Sequence, residues 1–289
     1  MGKTDTSEAG LESTIVDGLL ARGWVQSSPA DYNREYAVDL VQLRAFLEAT
    51  QPEALEYLSL DADDPNGRQF LSRLQGEINK RGVIDVLRRG ISHGRVSDLR
   101  LFFGTPSKGN PKAQAQFKAN RFSVTRQLRY SRDETRLALD LCLFINGLPV
   151  ATFELKNSLT KQTVEDAVQQ YKRDRDSREP LFQFGRCAVH FAVDDAEVRM
   201  CTELKDGKSW FLPFNQGWND GAGNPPNPGG IKTDYLWKRI LTPESLTNIL
   251  EYFAQITEKK DEKTGKKRKQ QIFPRYHQLD VVRNLLANV

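Results

Sequence analysis

The segment from Arg136 to Asn157, RLALDLCLFINGLPVATFELKN, constrains this chain most. Two apolar runs flank an Asn-Gly pair there, the strongest short-range signal for a β-hairpin. Side chains alternate along a strand, so parity assigns the faces. In the first arm Leu137, Leu139, Leu141, Leu143 and Ile145 form one aliphatic face, and Asp140 points away from it. In the second arm Ala151, Phe153 and Leu155 are apolar, while Thr152, Glu154 and Lys156 take the other side. A two-residue loop mixes Glu154 and Lys156 with the leucine face. A three-residue loop, Ile145-Asn146-Gly147 with Gly147 left-handed and a G1 bulge, keeps odd positions with odd. The expected register then sets Asp140 opposite Thr152, with Glu154 one diagonal step away and Lys156 beyond it.

Two carboxylates and an ammonium therefore converge on one face of the hairpin. Carboxylates about 4 Å apart repel by roughly 4 kcal/mol at an effective dielectric of 20, so something positive belongs between them. Lys156 is one choice. Mg²⁺ is another, since two carboxylates plus water and a substrate phosphate satisfy its octahedral shell, and the ion lowers the pKa of a bound water. Lys156 then orients or helps deprotonate that water. A strand-surface salt bridge is the plainer alternative, because Glu-x-Lys occurs three times, at Glu154-Lys156, Glu203-Lys205 and Glu258-Lys260. Only the first has an Asp within an apolar strand, a hairpin and a following helix.

Around this hairpin the periodicity predicts a helix over 7–24, with Ser7 as N-cap and Gly23 as stop, whose stripe of Leu11, Ile15, Val16, Leu19 and Leu20 has Glu12 near its middle. A carboxylate so placed either snorkels or finds a partner. Mostly helical segments are expected at 38–58 and 68–90, and strands at Leu99–Phe103 and Phe122–Leu128. The second strand lies within an Arg-rich stretch, Arg121, Arg126 and Arg129, which suit either phosphate binding or a solvated strand face. A helix capped by Thr163 with Asp166 should bury Val164, Ala167, Val168 and Tyr171. Further strands are expected within 185–214, an irregular loop at 215–230 and helix again over 236–257.

No apolar run approaches the ~18 residues of a membrane span, and the first thirty residues contain no secretory signal, so cytoplasm is the expected compartment and no membrane partner is expected. The three cysteines and three histidines are scattered without metal-ligand spacing and read as structural. Net charge is +4, but Lys259–Lys269 alone carries +5, so the body is close to neutral. That basic run is either a flexible, solvated linker or a strap that contacts phosphate.

Asp140 followed by Glu154-Leu155-Lys156 across a hairpin resembles the PD-(D/E)XK nuclease motif, and ALDLCLFINGLPVATFELKNS is similar to the nuclease segment of the restriction subunit of type I restriction-modification enzymes. The likeness extends through SEAGLE, ANRFSVTRQLRYS, VHFAVDD, LPFNQG and GAGNPPNPGG. It implies an α/β restriction-endonuclease-like fold, a mixed central sheet flanked by helices with an N-terminal helical elaboration. It further implies Asp140, Glu154 and Lys156 as catalytic residues, and Mg²⁺ held by Asp140, Glu154 and the carbonyl of Leu155. Glu12, Gln170 and Tyr171 take supporting places, although Gln169, Gln170 and Tyr171 are contiguous here rather than spaced as Q-x-x-x-Y, and Leu139 replaces the motif's Pro. The implied substrate is double-stranded DNA, and the implied partners are specificity and methyltransferase subunits. ATP is implied only for the full-length protein, because no G-x-x-x-x-G-K-[ST] is present and Gly223–Thr233 has the wrong glycine spacing. The implied organisation is an endonuclease domain over 1–258, a basic linker over 259–271 and, from FPRYHQ onward, the start of a helicase-like motor over 272–289. A free-standing repair or resolvase-type nuclease, a non-catalytic DNA-binding or assembly module, and a different metal hydrolase are the alternatives.

Overall fold

The computed structural model describes residues 8–61, 63–133, 136–260, 265 and 267–287. At its centre is a mixed seven-stranded sheet: β1 Val25–Ser27, β2 Phe122–Leu128, β3 Leu139–Ile145, β4 Leu148–Leu155, β5 Val189–Val193, β6 Val198–Cys201 and β7 Leu212–Pro213, in that spatial order. β1 and β2 are parallel, as are β4 and β5, and the other neighbours are antiparallel. Helices α1 Glu8–Leu20, α2 Leu40–Thr50, α3 Pro52–Leu58, α4 Pro65–Arg81, α5 Val83–Arg89, α6 Pro111–Lys118, α7 Val164–Asp174, α8 Pro243–Asn248 and α9 Tyr276–Ala287 surround it. The expected N-cap Ser7 lies outside the described residues.

Parity along β3 and β4 builds two cores. The odd residues Leu141, Leu143, Ile145, Phe153 and Leu155 join Leu11, Ile15 and Leu19 of α1 and the apolar faces of α2, α4 and α5. The even residues Cys142 and Phe144 join Tyr130, Phe182 and Tyr171, and Leu137 and Leu139 pack there too, so the expected aliphatic face divides before Leu141. Both faces of the hairpin are therefore covered, which is why every position of β4 is buried and Asp140 is the one residue of β3 that is not.

The turn departs from the expected three-residue loop. Ile145 pairs with Leu148 around a two-residue Asn146-Gly147 turn in which both residues have positive φ, 52° and 82°. That is the twist a two-residue hairpin needs. The parity conflict is resolved instead by a bulge between Leu143 and Phe144, after which Leu143 pairs with Ala151, Cys142 with Thr152 and Leu141 with Phe153. Thr152 thus faces Cys142, not Asp140, and the pairing ends at Leu141 with Phe153, one residue short of Asp140 and Glu154. At Gly147 a Cβ would come within 2.3 Å of the Asp39 carbonyl, so close approach as well as φ requires glycine there.

Other expectations are met or corrected locally. Asp166 closes the capping box with Thr163, and Val164, Ala167, Val168 and Tyr171 are the buried residues of α7. The strand expected over Leu99–Phe103 ends at Leu99. Beyond it the chain is held by side-chain amides: Gln51 bonds Arg100 in both directions, Asn146 donates to the Leu101 carbonyl, and Asn120 bridges both backbone groups of Phe103. Residues 236–257 divide into a π-helical turn Leu236–Ile240, then α8, a second π-helical turn Ile249–Phe253 and the start of a strand.

The basic run is not a loose connector where it is described. Strands β8 Gln255–Lys260 and β9 Lys267–Ile272 pair antiparallel into a ribbon, while 261–264 and 266 lie outside the described residues. Gln271 fastens β9 to the body by donating to the carbonyls of Cys187 and Ala188 at 2.7 and 3.0 Å. Ile256 of β8 packs so closely on Gly82 that a Cβ there would meet its Cδ1 at 2.3 Å. After the ribbon, Phe273 and Tyr276 stack with Phe191, Phe214 and Tyr235.

Candidate active site

The open end of the β3–β4 hairpin gathers several closely held charges. Asp140 and Glu154 lie on neighbouring strands, each one residue beyond the last pair of the ladder, Leu141 with Phe153. Asp140 is pinned across the pair, its Oδ2 accepting from the Leu155 amide at 2.7 Å. Glu154 is 0% exposed, beneath the start of α7 and beside Ala192 of β5. Lys156 follows, 9% exposed, its Nζ 2.7 Å from Glu8 Oε1 on α1.

A carboxylate buried this fully needs a counter-charge. Arg175, immediately after α7, supplies it: its Nε donates to Glu154 Oε1 at 2.5 Å, while its other nitrogens reach the Tyr130 hydroxyl and the Ala138 carbonyl. The second carboxylate oxygen, Oε2, is buried with no hydrogen-bond partner. Burial, with Asp140 adding its repulsion, pushes the Glu154 carboxyl upward against the pull of Arg175. Asp140 is likewise raised by burial, and Leu155 and Lys156 oppose that shift. Both acids therefore sit where additional positive charge is welcome.

Glu12 does not snorkel. It is buried and ion-paired, Oε1 with Arg126 Nε at 2.5 Å, and Oε2 accepts from Gln127 Nε2 at the same distance. Gln127 also lies 3.5 Å from Asp140 Oδ1, linking α1 to the hairpin. It does so from a left-handed backbone, φ 48°, at a step where β2 skips between Arg126↔Leu141 and Leu128↔Leu139.

The remaining expected residues disperse. Tyr171 is fully buried and exchanges a 2.8 Å hydrogen bond with Thr152, which also meets His190 Nδ1 at 2.7 Å, so Tyr171 is part of the α7 core. Gln170, next to it, is half-buried. Arg121 donates to Gln42, Arg126 is occupied by Glu12, and Arg129 is exposed, so the three arginines do not share a phosphate-binding cluster. Arg175, Gln127 and Glu8 were not among the expected residues. Arg175 had a signal: it continues the Val164–Val168–Tyr171 stripe by one more helical turn.

Among the described residues no group of three or more His, Cys, Asp or Glu side chains is arranged to hold a metal ion. The donor chemistry at Asp140 and Glu154 still suits a hard cation, because both offer carboxylate oxygens and Glu154 Oε2 has no hydrogen-bond partner. No described helix is long and apolar enough to cross a membrane.

These features fall within a family. The chain belongs to the family described as the type I restriction enzyme R protein N terminus, whose model matches residues 5–209. It is also similar to a Methanocaldococcus jannaschii protein named as a type I restriction enzyme MjaIXP endonuclease subunit, with 31% identity over 94 residues. That match covers 32% of this chain and 8% of the relative's length.

Proposed function

We propose that this chain carries a PD-(D/E)XK endonuclease site that hydrolyses phosphodiester bonds of double-stranded DNA with Mg²⁺, as the nuclease-bearing part of a type I restriction subunit. The observation that carries the reading is an acid on each arm of a single hairpin at its open end, near enough that Asp140 raises the Glu154 carboxyl, with Lys156 two residues beyond Glu154. Family membership supports it independently.

On this reading Asp140, Glu154 and the Leu155 carbonyl hold the ion. When bound, it neutralises charge on the phosphate and acidifies a water. The protein's own groups do the rest. The Leu155 amide holds Asp140, and Arg175 holds one Glu154 oxygen while leaving the other without a hydrogen-bond partner. Lys156 turns from Glu8 to the attacking water, orienting it and stabilising the developing negative charge. Glu12 and Gln127 keep α1 seated against Asp140.

The proposed organisation keeps the endonuclease domain over 1–258. Residues 259–271 and 272–289 lead towards an ATP-driven motor outside this sequence, and specificity and methyltransferase subunits supply recognition. The test is Mg²⁺-dependent nicking of plasmid by the full complex, wild type against Lys156→Ala, with ATPase followed in parallel. Lost nicking with retained ATPase is expected. Unchanged nicking overturns the assignment.

A further inference from the structure

A cleft of about 700 Å³ opens between the β6–β7 edge of the sheet and the β8–β9 ribbon, and none of the candidate site residues lines it. Its walls carry Lys205, Lys208, Lys259, Lys260, Arg268 and Lys269, against a single acid, Glu203. Glu203 is already taken by Lys205 at 2.5 Å and Arg268 at 3.4 Å, and Lys269 donates to the Lys80 carbonyl. Lys208, Lys259 and Lys260 are exposed and make no ion pair with other described residues. Trp210 lines the same cleft, 75% exposed, whereas Trp24 and Trp237 are buried in the core.

The two features together select a ligand. A free anion uses the cations but not the indole. A duplex offers phosphates but keeps its bases stacked inside. An unpaired strand presents both a phosphate track and open base faces, which is the combination that lysines around an aromatic platform recognise. The ribbon's anchorage through Gln271 and Ile256 means the cationic wall is preformed, so binding does not require folding a loose tail.

We infer that this cleft binds single-stranded DNA, with phosphates on Lys208, Lys259 and Lys260 and a base stacked on Trp210. The choice of DNA over RNA rests on the proposed nuclease reading; the cleft's preference for an unpaired strand does not.

The experiment is a titration of the 289-residue chain with oligo(dT), without Mg²⁺, followed by tryptophan fluorescence and by anisotropy of a labelled oligonucleotide. Wild type should bind with quenching, and log affinity should fall with log salt at a slope of about −2, the value for three neutralised phosphates on a single strand. Trp210→Ala should abolish the quench and weaken binding about tenfold, with Trp210→Phe intermediate. The pair Lys259→Ala and Lys260→Ala should flatten the slope by about 1.4. Trp218→Ala and Lys267→Ala, at exposed positions outside the cleft, should change neither.

Equal affinity for a blunt duplex of the same length, an unaffected Trp210→Ala, or equal competition by polyglutamate overturns the inference. Tighter binding of oligo(U) overturns the assignment to DNA. Mg²⁺-dependent plasmid nicking by the full complex separates the two readings. Oligonucleotide binding by the chain alongside a complex that does not nick would condemn the nuclease proposal alone, and absent binding alongside a complex that nicks would condemn the cleft alone.

Discussion

Two hairpins of this chain carry charged groups, and they are built in opposite ways. In β3–β4 the charges are few and enclosed: Glu154 is fully buried, held by Arg175, and flanked by an aspartate whose own position is fixed by a backbone amide. In β8–β9 the charges are many and outside, spread along both strands with water on one side. Enclosure makes each charge expensive to leave unpaired and therefore geometrically exact in its demands. Exposure makes each cation individually weak, screened by salt and effective only in numbers. The first arrangement suits chemistry at one atom, and the second suits the capture of a polyanion.

The comparison breaks first at Lys156. If the enclosed hairpin is the reacting end, Lys156→Ala lowers plasmid nicking by the full complex by about a thousandfold, within the range for loss of a positioned proton-transfer group, while ATPase continues. Removing a lysine from the basic ribbon should not approach that loss. A comparable fall from Lys259→Ala would mean that the ribbon, not the hairpin, limits the reaction.

Stability gives the next contrast. Glu154→Ala strands the buried Arg175 guanidinium, and unfolding free energy should drop by about 3–5 kcal/mol. Glu154→Ala with Arg175→Met removes both charges and should recover much of that loss in urea melts. If the double variant is as unstable as the sum of the singles, the two side chains are not acting as a pair.

His190 extends the test to pH. It lies under the same face, bonded to Thr152, and burial pushes its imidazole down to about 3. The unfolded chain's histidine titrates near 6.5, so the folded state prefers the neutral ring. The associated stability is complete above about pH 6.5 and drains away as pH falls towards 3, by about 1.4 kcal/mol per unit. The stability difference between wild type and His190→Gln should therefore shrink between pH 6 and 4.5. A difference that stays constant over that range means the imidazole is charged in the fold.

How much of this could be read beforehand differs between the regions for a physical reason. The apolar runs about Asn146-Gly147 are a strict constraint, so a hairpin with Asp140 and Glu154 towards its open end follows from them alone, even though a bulge and a two-residue turn, not a longer loop, set the register. The α7 stripe was equally legible, because a capping box and four apolar positions agree on one helix. Gln127 was not, since its approach to Asp140 depends on a left-handed residue within a strand, which no residue type announces. Nor was the end of the strand at Leu99: the apolar run beyond it is buried as expected, but its backbone bonds go to Gln51, Asn120 and Asn146, which are distant in sequence. The ribbon was hidden by its own composition. Runs of lysine look like solvated tail, and what orders them is the pairing of the strands with one glutamine and one isoleucine that reach the body.

The smallest expected effect sharpens the comparison most, because it is nearly zero on one axis and large on another. Lys259→Ala together with Lys260→Ala removes two exposed side chains that pair with nothing described, so the urea midpoint should move by no more than about 0.5 kcal/mol in free energy. Relief of crowding among like charges on the ribbon could even raise it slightly. Stability would thus be indifferent to the same two residues that set the salt dependence of strand binding. A loss of several kcal/mol would place these lysines in the structural category of Arg175, and the distinction between an enclosed hairpin that must balance every charge and an exposed one that need not would fail.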